Sequence, residues 1–420
     1  MNRPDNSSIA VTGMGMVTSL GQGIAANWAA MLAGQSGAAL VRRFATDGLR
    51  TRFAATVESI CDPTLRPTDR TEHLAMLAMT EALAQSGHAA GPRFPGKLIV
   101  GVPPVQMEWP DRIDMASRCD DGDINDRALI RAAADQQMRP LFAKLRFGKT
   151  AEHLARHLRP LGMPVTISTA CSSGASAIQI GVETIRRGDA DAAIVIGADA
   201  SVSPEMLLRF GLLSALSRRN ETPETASRPF DKTRDGFVPG EGAAALVLER
   251  GTVAAQRGAN ILGYIRGVGE RLDAYHRVRQ RPDAGPVGEA MAAAIRDAGL
   301  EPDDIDYVSA HGTSTGDNDR VESLGLHHVF GQRTNKLPVS SIKSMIGHTM
   351  SAAGAIEAVA SLLMMQHQTL LPTINFDTPD PDAPLDVVPN TARAAKAHHV
   401  LSNSFGFGGQ NVCIVLSDTP

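Results

Sequence analysis

"PVTISTACSSGASAIQIGVETIRRG", Pro164 to Gly188, decides both the fold class and the place to look for chemistry. An apolar, β-branched run leads in as a strand, and a small-residue run from Ser172 opens a helix. Cys171 stands at the switch between them. A helix N-terminus favours a thiolate, because unpaired backbone N–H groups and the macrodipole stabilise negative charge there. Ser172, Ser173, Gly174 and Ala175 leave space for a substrate to approach the sulfur. Two readings remain at this point: a nucleophile, or an inert thiol buried as a small hydrophobe.

The same alternation continues along the chain. "SSIAVTGMGMVTSLGQG" (7–23) reads as a buried strand turning through glycines into a helix. Its Gly13 and Gly15 invite a dinucleotide reading, but the third glycine position holds Thr18, leaving a tight strand–helix turn. "FGKT" (147–150) ends like a phosphate loop, yet Ala143 stands where that loop needs glycine. Strands are expected at 96–102, 164–170, 191–201 and 242–249, and again at 261–270, 304–310, 337–343 and 399–416. Helices fall between them, notably "GPVGEAMAAAIRDAGL" (285–300) and "SAAGAIEAVASLLMMQHQ" (351–368). This is an α/β chain with buried strands and covering helices, loosely duplicated about a break near 250–262. Residues 103–150 are charged, begin Pro-Pro, and read as a cap rather than core.

Composition narrows the function classes. The 420 residues carry a formal charge of -4 with no basic block, which argues against nucleic acid as a partner. No signal-like segment and no apolar run long enough to span a membrane is evident, so a cytoplasmic protein is expected. Cysteines at 61, 119, 171 and 413 show no metal or disulfide spacing, and no metal is expected.

Two histidines strengthen the nucleophile reading of Cys171. His311 lies in "SAHGTSTGDND" past a strand end, and His348 lies in "SIKSMIGHTMSAAG" before a helix, both at switch points where α/β folds place ligands. Lys343, five residues before His348, adds fixed positive charge. Hydroxyls at 313–315 suit an extended amide-bearing substrate. In "SNSFGFGGQN" (402–411), glycines allow close backbone approach, so the loop can aim an N–H at an oxyanion; the other reading is a plain hairpin turn. A thiol, two imidazoles and a lysine suit chemistry that builds negative charge on a carbonyl oxygen.

Together, "VTGMGMVTSLG", "STACSSGASAI", "SRPFDKTRDGFVPGEGAAALVLE", "AHGTSTGDNDRVE", "SSIKSMIGHTMSAAGAIE" and "NSFGFGGQN" resemble the β-ketoacyl-[acyl-carrier-protein] synthases, in that family's order and close to its spacing. The chain looks most like the class II elongating enzymes. The resemblance implies a thiolase-like fold, two similar α/β halves in a five-layered αβαβα sandwich. Residues 1–255 would form the half with Cys171 and the variable cap 102–150. Residues 256–420 would form the half with His311, His348 and the Phe407 loop. It further implies a homodimer, an acyl carrier protein as partner, and substrates borne on phosphopantetheine with no separate cofactor.

The resemblance also implies roles. Cys171 would take the acyl chain, and His311 and His348, with Lys343, would promote decarboxylation of a malonyl carrier. The N–H groups of Cys171 and Phe407 would form the oxyanion hole, with Phe407 also the gate to the acyl tunnel. Thr313 and Thr315 would bind pantetheine, and Lys343 and Glu357 would organise the surroundings of His348. The product would be a 3-oxoacyl chain two carbons longer, in fatty-acid elongation, with a specialised paralogue for long or modified chains suggested by the departures. A polyketide-type ketosynthase and a non-catalytic chain-length-factor subunit are the alternatives; the latter type lacks the active cysteine. The departures are "GVPPVQMEWPD" (101–111), Val278 and Gln410, together with Arg277, Arg279 and Arg281 near the expected tunnel mouth. In relatives, the segment 102–150 shapes the acyl tunnel and the dimer contact.

Overall fold

The computed structural model describes residues 8–58, 65–88, 93–119 and 126–420; Cys61 lies outside them. The expected strands form, and they repeat one pattern twice. In the first half the sheet order is Ile9–Thr18, Gly242–Arg250, Ala192–Asp199, Lys97–Gly101, Val165–Ile167. In the second it is Gly263–Leu272, Gln410–Ser417, His399–Phe405, Tyr307–Ser309, Pro338–Ser340, with Asp386–Val387 added at the edge. In each half the first three strands are antiparallel neighbours and the remaining pairings are parallel. Ile9–Val11 pairs antiparallel with Gly263–Ile265, which joins both halves into one 12-stranded sheet.

Layering follows from which faces are apolar. Ile9–Thr18 and Ala192–Asp199 are buried at every residue, as strands covered on both faces must be. Pro67–Ser86 and Lys149–Leu158 cover the outside of the first half around Leu74, Leu98, Leu154 and Ile196. Gly285–Asp297 and Gly316–Phe330 cover the outside of the second around Met291, Val308 and Leu326. Between the halves lie Ser173–Arg186 and Ala353–His367, which share a core with Ile178, Val182, Ile356 and Val359. Outer helices, sheet, paired central helices, sheet and outer helices make the five-layered αβαβα sandwich of the thiolase-like fold.

The two central helices touch through glycine. A Cβ on Gly174 would lie 2.7 Å from the backbone N of Ala355, and one on Gly354 would lie 2.7 Å from that of Ala175. Any side chain there would force the helices apart. Because Cys171 precedes one helix and His348 the other, this contact also sets the spacing of the site. The segment expected to be a cap forms short helices at Trp109–Ser117, Asp126–Ala134 and Arg139–Lys144. Ile113 and Ile130 are both exposed there.

Candidate active site

Cys171 sits where the strand Val165–Ile167 gives way to the helix Ser173–Arg186, and it is 7% exposed. The turn is held locally: Ser173 Oγ accepts the N–H of Thr169 at 2.9 Å, and Ser172 Oγ donates to the carbonyl of Thr169 at 2.8 Å. The backbone N–H groups of Phe407 and of Cys171 itself lie near the sulfur and favour its anion. They do not make the resting group a thiolate. Burial pushes the thiol up to about 11, against the two N–H groups and the charge of Lys343. The helix N-terminus was expected to favour the anion, and here desolvation outweighs it.

His311 and His348 are buried and face each other with ring centroids 5.3 Å apart and planes 87° apart. Burial, reinforced by the charge of Lys343, holds both imidazoles well below their usual range, so both are neutral at physiological pH. Lys343 Nζ lies 3.4 Å from Nδ1 of His311 and forms an ion pair with Glu357. An ammonium can only donate, so Nδ1 of His311 accepts and the ring proton sits on Nε2. The expectation had Lys343 and Glu357 around His348; here the hydrogen bond of Lys343 goes to His311, while its charge acts on both imidazoles. Gly347, at φ 67, turns the chain between Lys343 and His348, and the ammonium reaches the other imidazole. Nδ1 of His348 has no hydrogen-bond partner among the described residues.

Two carboxylates absent from the expected set fix the His311 loop. Glu322 accepts the N–H of His311 and of Gly312, each at 2.8 Å, and the side-chain amide of Asn403 at 3.0 Å. Asp319 accepts the N–H of Thr313 at 3.0 Å and of Phe230 at 2.8 Å. Both lie on Gly316–Phe330 three residues apart, on one helix face. The signal was present in "GDNDRVE". Positive φ at Ala170 (50), Ser314 (67) and Met350 (46) brackets the three reactive groups, and backbone strain of this kind clusters at functional sites.

Two cavities meet at Cys171. One, of about 350 Å³, is lined by His311, His348, Thr313, Thr315, Val278 and Arg279. The other, of about 270 Å³, is lined by residues 102–108 and by Glu205, Met206 and Arg209. Phe210, Met350 and Phe407 border both. Thr313 and Thr315 share a hydroxyl hydrogen bond of 2.9 Å. Phe407 is 36% exposed on the loop between Phe405 and Gln410. That loop needs glycine at 409: φ is 90, and a Cβ would lie 1.8 Å from the carbonyl oxygen of Asp273. Gln410 bonds to Glu270, and the carbonyl of Arg277 accepts the N–H of Gly408 at 2.8 Å. Arg281 pairs with Asp283 and Arg279 with Asp317, both in the open. Among the described residues no group of three or more His, Cys, Asp or Glu is placed to hold a metal, and no helix is long and apolar enough to cross a membrane.

A doubled strand order around two central helices, with a thiol at the mouth of one, defines the acyl-transferring condensing enzymes. Residues 6–254 match the N-terminal domain model of beta-ketoacyl synthase, and residues 262–377 match its C-terminal domain model. The chain is 38% identical to a 3-oxoacyl-[acyl-carrier-protein] synthase 2 of Coxiella burnetii, over 97% of this chain and 98% of the relative. It is 36% identical to a putative polyketide beta-ketoacyl synthase 1 of Streptomyces cyaneus, covering 97% of each. A beta-ketoacyl synthase structure from Burkholderia phymatum superposes with a TM-score of 0.84 at 34% identity, covering 99% of this chain and 100% of that one. A ketosynthase in a type II complex with its acyl-carrier protein, bound to a hexaketide, superposes with a TM-score of 0.86 at 29% identity, covering 99% and 100%. The chain belongs to the β-ketoacyl synthase family.

Proposed function

We propose that the protein is a 3-oxoacyl-[acyl-carrier-protein] synthase that elongates fatty acyl chains by decarboxylative Claisen condensation. The observation that carries this is the placement of Cys171. Its sulfur lies between a cavity edged by hydroxyls and imidazoles and a largely apolar one, with the N–H of Phe407 near it. A pantetheine arm entering past Thr313 and Thr315 brings a thioester to the sulfur. The thiol adds to the carbonyl, the N–H groups of Cys171 and Phe407 bear the oxyanion, and the carrier thiol leaves with the proton. The acyl chain then occupies the apolar cavity.

Malonyl-carrier takes the vacated arm site. Its carboxylate departs as carbon dioxide, leaving the bond's electron pair on an enolate. Neutral imidazoles suit this step, because they donate N–H hydrogen bonds to the enolate oxygen without first protonating it. Nε2–H of His311 is fixed by Lys343, and His348 supplies the second donor. The enolate carbon attacks the Cys171 thioester, the carbon–sulfur bond breaks, and the sulfur takes up a proton to restore the thiol.

The intact thiol and both imidazoles weigh against a chain-length-factor subunit. A polyketide-type ketosynthase is the second reading, favoured by the named polyketide relatives and the hexaketide-bound neighbour. We also propose a cytoplasmic homodimer. Val165–Ile167 ends the sheet order with one flank unpaired among the described residues, beside the exposed Met163. Light scattering reads the dimer directly. The function is tested by supplying acyl-carrier and malonyl-carrier and following products by mass: a 3-oxoacyl chain two carbons longer supports it, and no product from any chain length overturns it.

A further inference from the structure

The cavity on the cap side of Cys171 is largely apolar, but its wall is not uniformly so. Its wall carries two carboxylates, Glu205 and Glu108. Glu205 is 8% exposed. One of its oxygens accepts the N–H of Trp109 at 2.6 Å, the one hydrogen bond found for this carboxylate among the described residues, which leaves the other oxygen available to a ligand in the cavity. Glu108 accepts the N–H of Asp111 as the cap of Trp109–Ser117. The nearby cations are committed elsewhere. Arg66 pairs with Asp111, Arg209 bonds to Gln106, and Arg70 serves the carbonyls of Leu65, Ala200 and Val202 and faces Glu241. Burial and the charge of Glu205 push the Glu108 carboxyl up to about 7, against the opposing charges of Arg70 and Arg66.

Filling this space with methylene groups would strip water from the free oxygen of Glu205 and return nothing. A hydroxyl on the chain reverses that balance, because it donates a charge-assisted hydrogen bond to the carboxylate. We propose that the acyl chain received by Cys171 bears a hydroxyl group that donates to Glu205, so that this residue determines specificity for hydroxylated over saturated chains. The inference rests on reading this cavity as the acyl site.

The test uses the whole protein and acyl-carrier thioesters of one length, saturated or carrying a hydroxyl at each successive carbon of the distal half. Formation of the Cys171 thioester is followed by intact mass. The expected result is a preference of about tenfold or more in kcat/KM for one hydroxyl position, since a site built to hydrogen-bond a hydroxyl discriminates against its absence. Glu205→Leu should abolish that preference and raise loading of the saturated chain. Glu205→Gln keeps an acceptor for the Trp109 N–H, guards against a folding failure, and should retain only part of the preference. Equal or better loading of the saturated chain by the wild type, or an undiminished preference in Glu205→Leu, overturns the proposal. If no chain of any kind loads, the acyl-site reading itself falls and this inference with it; if only saturated chains load, this inference falls alone.

Discussion

Two segments leave equivalent strands of the duplicated sheet and have opposite fates. After Tyr307–Ser309 the chain runs through His311 and is pinned at once by Glu322 and Asp319. After Lys97–Gly101 it runs through Pro103 to Glu108 along the acyl-side cavity and then out into short, exposed helices. The first segment presents a reactive group and allows it no freedom. The second presents a wall. On the proposed function, the duplicated position that is tied to the buried helix face would do chemistry, and the one released into a long excursion would shape what may enter.

The two segments should differ most in their response to substitution at His311. His311→Ala is expected to lower condensation about a hundred- to a thousandfold, as removing a donor from a developing oxyanion does. Loading of Cys171 should stay within a few-fold, read by the acyl-enzyme mass. Equal losses in both steps would deny the division of labour. Glu322→Ala strands three donors, the N–H groups of His311 and Gly312 and the amide of Asn403, and should cost about 3 kcal/mol or more in a denaturant titration. A substitution of similar size on the cap helices should do far less.

The thiol gives a pH test with a definite sign. Because burial raises Cys171 to about 11, the reactive anion is the minor form at neutrality. Its fraction, and hence the alkylation rate, should climb about tenfold per pH unit from neutrality with no plateau until near that value. Lys343 lowers the thiol's pKa, so Lys343→Met should slow alkylation at any pH on the rise. A plateau near neutrality would show that the helix terminus prevails over desolvation after all. On the cap side, Val105→Ala should shift the preferred chain length and change kcat/KM by about tenfold and by no more than about 200-fold, since a methyl or two of pocket wall is worth about 1–3 kcal/mol at most. Ile130→Ser, on an exposed helix face, should move stability by less than about 0.5 kcal/mol. A larger loss there would point to a second copy covering the cap.

The site was legible in the sequence because its parts sit at strand ends among glycine, serine and threonine. Cys171, His311, His348, Lys343, Thr313, Thr315, Glu357 and Phe407 do converge on one place. Their neighbours were harder to read. Asp319 and Glu322 lie in a helix whose acidic residues look solvent-facing, and only tertiary packing buries them. The resemblance put Lys343 beside His348, whereas the turn at Gly347 brings the ammonium within 3.4 Å of Nδ1 of His311, a direction that no sequence motif states. The thiol's protonation followed the same logic. A helix N-terminus is visible in sequence, whereas the seal formed by the 402–411 loop and the glycine contact between the central helices is not. The cap resisted reading because Ile113, Ile130 and Phe142 face outward, so no apolar stripe marks which side of its helices meets the core.

On the proposed mechanism, one thiol holds the acyl chain while two neutral imidazoles create the carbanion that takes it. A single turnover tests it most directly. Cys171 is acylated, the acyl-enzyme is freed of donor, and malonyl-carrier is added while the protein-bound acyl group and the product are followed by mass. The acyl group should leave Cys171 at the rate at which a 3-oxoacyl-carrier two carbons longer appears, and His311→Ala should stall with its acyl group in place. Release of the chain as free acid, or elongated product formed without acyl-Cys171, would contradict it.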